Sequence, residues 1–107
     1  MFNIDLQPVF SVTVTANPPG PAEAQSFLAT FEALGIAEFS SFDLGTPAGA
    51  KAFLDRAWLA VDDVVNDAGE PMPDSPALRA RMIDLAWVRT PLVSAYLNGL
   101  AESQAGN

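Results

Sequence analysis

Two spacings of apolar residues divide this sequence. Near its start Phe10, Val12 and Val14 alternate with Ser11, Thr13 and Thr15, a period of two that gives a half-buried strand one apolar and one hydroxylated face. Phe2, Ile4 and Leu6 repeat the alternation one short turn earlier, and Gln7-Pro8 between them either closes a hairpin or marks an edge. A lone hairpin is marginal in water, so this β element, residues 1–16, needs helices on its apolar face or another copy of the chain on its edge. The Thr-rich edge is a candidate pairing surface, with a covering loop as the alternative.

The spacing then changes to three and four. Asn17-Pro18-Pro19-Gly20-Pro21 is a rigid connector, residues 17–21, that continues neither a ladder nor a helix. Phe27, Leu28, Phe31 and Leu34 predict a helix from Pro21 to Leu34, ended by Gly35. The central helix starts at Thr46-Pro47. Pro47 keeps Thr46 out of the helical region and leaves its hydroxyl free to cap, while Ala50, Phe53, Leu54, Ala57, Trp58 and Val61 draw one stripe. Helix is expected to about Leu59. Residues 60–65 read as either helix or strand entering the turn Asn66-Asp67-Ala68-Gly69.

Ile36 to Gly45 reads as a helical turn and loop over the core, with presentation of Phe39 and Phe42 to a partner as the second possibility. Residues 66–74 are rich in carboxylates, but no register matches the calcium-loop pattern. Starting at Asp63 puts Val65 at position 3, and starting at Asp62 puts Val64 there. Ser75-Pro76 and Thr90-Pro91 repeat the capped start of Thr46-Pro47, predicting helices over Pro76–Val88 and Pro91–Glu102 with a break between them and a frayed tail at 103–107. Leu78, Met82, Leu85 and Ala86 stripe the first; Leu92, Val93, Tyr96, Leu97 and Leu100 stripe the second. The expected fold is a single α+β domain, mainly helical: four to five helices in residues 22–102 packed on a small N-terminal β-hairpin or edge strand.

Composition narrows the chemistry. The 107 residues include no cysteine and no histidine, which removes thiolate metal sites, disulfides, the usual neutral-pH base and the strongest small nucleophile, and argues against an enzyme. No cofactor is implied. Asp62 and Asp63, adjacent on a helix, would face about 100° apart and form no catalytic dyad. Thirteen acidic and five basic residues give a net charge of −8. Residues 1–40 carry four acids and no base, 41–74 seven acids and two bases, and 75–107 two acids and three bases. Five dispersed cations supply no basic footprint for nucleic acid, and the acidity reads first as solubility. Arg79, Arg81 and Arg89 are expected to meet the acidic middle of this chain or of a neighbour. A basic start followed by an apolar run is lacking, as is any 18-residue apolar stretch, so a soluble, unprocessed, non-membrane protein is expected.

The strand FSVTVTANPPG, then Phe27-Leu28-Ala29-Thr30-Phe31, the turn Val64-Val65-Asn66-Asp67-Ala68-Gly69-Glu70-Pro71, and the end Ala95-Tyr96-Leu97 with Gly106-Asn107 together resemble the tail assembly chaperones of long-tailed bacteriophages and prophages. The likeness spans nearly the whole chain and rests on the order of the four pieces. It departs where the family often has a Trp just before the turn, since Val61 stands here and Trp58 earlier, and where Asn66 replaces the turn acid. The resemblance implies a non-enzymatic, self-associating protein of the host bacterial cytoplasm, not retained in the mature virion. Such a protein binds the helical tape-measure protein, keeps it soluble and helps deliver the tail-tube protein. Candidate groove residues are Phe39, Phe42, Trp58, Trp87 and Tyr96, for each of which ordinary core is the plainer role. An acidic inhibitor or decoy acting on a host enzyme, a small enzyme, and a structural subunit that stays in the particle are the competing readings.

Overall fold

The computed structural model describes residues 1–105. Three strands, β1 (Val9–Ala16), β2 (Gln25–Glu32) and β3 (Trp58–Asp62), form one antiparallel sheet in the order β1-β2-β3. Four helices, α1 (Ile36–Ser40), α2 (Pro47–Ala57), α3 (Pro76–Ile83) and α4 (Ala86–Ala105), complete the chain. The fold is therefore α+β with about 40% helix and 23% strand, and this corrects the expected mainly helical chain on a hairpin.

The correction turns on β2. Phe27, Leu28 and Phe31 fit a helical stripe, but Phe27, Ala29 and Phe31 fit a strand equally well, and it is these three that are buried. β1 decides between the periods: its backbone donors and acceptors need a partner, and β2 supplies one in register from Val9↔Glu32 to Ala16↔Gln25. The Pro-rich connector becomes the loop of this long hairpin. Residues 2–6 do not form an earlier hairpin; Phe2, Ile4 and Leu6 are exposed and outside any strand. The β element thus begins at Val9 and extends into the part expected to be helical. Gly35 precedes α1 as its N-cap and ends no helix.

β3 resolves the open segment. The central helix ends at Ala57, and Trp58 is both its C-cap and the first residue of the strand. β3 pairs with the middle of β2, from Leu28↔Asp62 to Phe31↔Trp58, with a bulge that leaves Leu59 on the outside. Asp62 therefore ends a strand, Asp63 follows it, and neither lies on a helix. Val14, Ala16, Phe27, Ala29, Phe31, Trp58 and Val61 form the buried face of the sheet. Its other face is hydroxylated and open, with Ser11 Oγ 2.8 Å from Thr30 Oγ1 and Thr15 Oγ1 3.1 Å from Ser26 Oγ. The Thr-rich pattern thus marks a sheet face.

Two of the three expected caps form. Thr46 Oγ1 accepts from Gly49 N–H and Ser75 Oγ from Leu78 N–H, each at 3.0 Å. Thr90-Pro91 instead lies inside α4. The break falls earlier, at Asp84-Leu85, where the Leu85 carbonyl accepts from both Val88 and Arg89. Pro91 costs α4 only the bond to the Trp87 carbonyl, one turn from the helix start. The helix runs on through Ala105 where a frayed tail was expected; Gly106 and Asn107 lie outside the described residues. α4 buries Val88, Leu92 and Tyr96 and crosses β1 at Gly99, where an added Cβ would sit 3.0 Å from the Phe10 ring. Leu97, expected on the buried stripe, is exposed.

Candidate functional site

Beyond Asp62 the chain leaves the sheet, and this departure creates an open groove. Asp63 adopts a left-handed backbone, φ 67°, which a short polar side chain tolerates better than a bulky one. β3 therefore stops opposite Leu28, and Gln25–Phe27 at the start of β2 have no strand on that side among the described residues. The chain instead forms a small hairpin. Met72 N–H donates to the Val64 carbonyl at 2.7 Å, and Asn66 Oδ1 accepts from Ala68 and Glu70 N–H at 2.9 and 3.0 Å. Asn66 thus organises the acidic turn on its own backbone.

Between this hairpin, the start of β2 and the α3–α4 corner lies a groove of about 850 Å³. Its apolar walls include Phe27, Met72, Met82, Leu85 and Trp87, with Asp63, Asp67 and Arg81 as its charges. Leu85 is exposed; Trp87 and Met82 are half-buried, resting on the core. Arg81 makes no ion pair among the described residues. Arg79 pairs with Asp74, while Arg89 Nη1 donates to the Ile83 carbonyl at 2.9 Å. Of the three late arginines, then, Arg79 alone reaches an acid of the middle segment.

The five candidate groove residues do not meet at one surface. Trp87 lines the groove. Trp58 is 3% exposed, with Nε1 donating to the Ala60 carbonyl at 2.9 Å, and Tyr96 is 1% exposed. Phe39 and Phe42 pack inward on Phe53, at 5.5 and 5.8 Å between ring centres, and Phe39 stacks on Tyr96 at 6.0 Å. Phe10, Phe31 and Phe53 also surround Tyr96 at 4.9–5.6 Å, and its hydroxyl accepts from Leu34 N–H at 2.9 Å. Trp58 and Tyr96 thus lie in the core, and Phe39 and Phe42 pack, partly buried, against it.

Met72, Met82 and Leu85 are the groove residues that sequence reading did not single out as a site. Met72 carried a signal, as an unbranched apolar side chain held between two prolines in an otherwise polar turn. Arg56 holds the opposite end of the molecule together, bonding Glu32 and Glu38, both at 2.8 Å. Its hydrogen bond holds the Glu32 carboxyl below the usual range, against the opposing effect of burial. Among the described residues no three carboxylates converge as a metal site would need, and no helix is long and apolar enough to cross a membrane. Neither a family model, nor a curated protein, nor a solved structure matches this chain.

Proposed function

We propose that this protein is a bacteriophage tail assembly chaperone, a non-enzymatic binder of the tape-measure protein. The open groove carries the reading: Trp87, Met72, Met82 and Leu85 present apolar surface on a chain of net charge −8. An apolar groove receives one stripe of an amphipathic helix, and Met side chains adapt to stripes of differing shape. A long helical client offers many such stripes, none identical to the next. The acidic exterior keeps a client coated with many copies soluble. On this reading the protein acts in the host bacterial cytoplasm, self-associates, assists the tail-tube protein and leaves the finished particle.

Co-expression with a tape-measure protein from the same genome tests it. The long protein is expected to become soluble and to co-purify with many copies of this chain, and Trp87→Ala with Leu85→Ser to abolish the effect while the fold persists. A tape-measure protein that stays insoluble beside folded, solitary chaperone overturns the reading.

A further inference from the structure

The same groove is matched by a second unpartnered apolar feature at the far end of the molecule. Residues 1–8 precede β1 as an arm on which Phe2, Ile4 and Leu6 are 87%, 80% and 67% exposed. In the single chain Asn3–Leu6 is a turn, with Leu6 N–H donating to the Asn3 carbonyl at 3.3 Å and Asp5 N–H to Asn3 Oδ1 at 3.0 Å. The apolar residues alternate with Asn3, Asp5 and Gln7, so the arm, once this exposed turn opens, presents all three apolar side chains on one face and the polar ones on the other. A radius of gyration of 14.5 Å, against about 13 Å for a compact chain of this length, agrees with an element standing off the body.

We infer that the groove receives residues 2–6 of a second copy of this chain, added as a short strand beside Gln25–Phe27. Three observations select this occupant. The groove is bounded by a strand segment lacking a neighbouring strand on that side among the described residues, which offers backbone pairing to an extended peptide. The arm has the alternation such pairing uses, with Phe2, Ile4 and Leu6 directed at Trp87, Met82 and Leu85 and the polar side chains at water.

Reach settles the third point. The arm leaves from Val9 at one end of β1, and the groove adjoins Ala16 at the other. β1 spans seven residue steps, about 23 Å. Ile4 stands five steps from Val9, at most about 18 Å, so the arm cannot lay its apolar face in the groove of its own chain. Two copies side by side with opposed sheets can exchange arms reciprocally, and the contact closes at two. Phe2, Ile4 and Leu6 together carry on the order of 400 Å² of side chain. Two docked arms and the grooves beneath them therefore remove on the order of 1,600 Å² from water, the size of a standard specific interface.

The inference concerns what fills the groove before any client arrives and stands whether or not the client is a tape-measure protein. Because the chain has no native cysteine, Ile4→Cys and Leu85→Cys can be made on separate chains, mixed and oxidised. The expected product is a disulfide-linked pair containing one of each, at least tenfold above that formed by Ile4→Cys with Thr13→Cys on the open sheet face. Light scattering should show the unmodified chain dimeric, and Ile4→Asp should weaken the dimer by roughly tenfold or more without changing the melting temperature of the monomer. A monomeric parent chain, or crosslinking no better than the Thr13→Cys control, overturns it. Tape-measure solubilisation is a separate readout, so either result leaves the client question to its own experiment.

Discussion

The two ends of the sheet are built from the same kinds of residue and finished differently. At the end where β1 begins, Phe10, Phe31, Phe39 and Phe53 close around Tyr96, and Arg56 ties β2, α1 and α2 together through Glu32 and Glu38. At the end where β1 finishes, Trp87, Met72, Met82 and Leu85 are equally apolar, yet they surround open space because β3 turns away at Asp63. Apolar content therefore does not distinguish core from open groove in this protein. What distinguishes them is whether a neighbouring element arrives to cover the side chains.

Substitutions should expose that difference as a gradient. Trp58→Asp puts a charge among Phe27, Phe31 and Val61 and should cost more than about 4 kcal/mol. The expected outcome is loss of cooperative melting, and an unchanged melting temperature would remove Trp58 from the core. Tyr96→Ala at the closed end should cost about 3–5 kcal/mol, read by denaturant titration. Gly49→Ala should cost toward the upper end of roughly 1–3 kcal/mol, because its Cβ would lie within 1.8 Å of the Asp43 carbonyl oxygen. That collision is with backbone, which cannot step aside as a side chain end can. Trp87→Ala at the open end should cost less, roughly 2 kcal/mol, its side chain packing on the core but staying partly exposed, while removing binding to any client of the groove. Equal losses for Tyr96→Ala and Trp87→Ala would abolish the distinction between the ends.

How much of this was legible in the sequence follows from how local each cause is. The caps at Thr46 and Ser75 were readable because one hydroxyl and the following proline suffice, and the central helix followed from its stripe. Thr90-Pro91 carries the same signal but sits on a segment whose Val88, Leu92 and Tyr96 stripe runs straight through it, so packing overrides the local stop. Phe27 to Phe31 satisfies two periods at once, and only the presence of β1 across the hairpin selects the strand. The groove was the least legible, since it exists because β2 and β3 are paired over part of their length. Trp87 stands out in the sequence only for being aromatic, a property that Trp58 and Tyr96 share from inside the core.

The smallest expected effect tests the tie at the closed end. Glu32 has its carboxyl held below its ordinary value near 4.5 by the hydrogen bond from Arg56. A carboxyl whose folded pKa is depressed contributes stability that is fully present above its unfolded pKa and is lost as pH falls through the folded one. The parent chain should therefore lose this contribution progressively below about pH 4.5. Arg56→Gln should lack it throughout, with Glu32 titrating in its ordinary range. The melting temperatures of the two proteins should differ by a small margin at pH 6 and converge toward pH 3, the carboxylates that Arg56 does not bond being common to both and cancelling in the comparison. High salt at pH 6 should shrink the same margin, because the Arg56 guanidinium stays partly in water. A margin that persists at pH 3 would mean that Arg56 stabilises this end through its aliphatic stem packed among α1, α2 and β2, and that the closed end is held by packing alone.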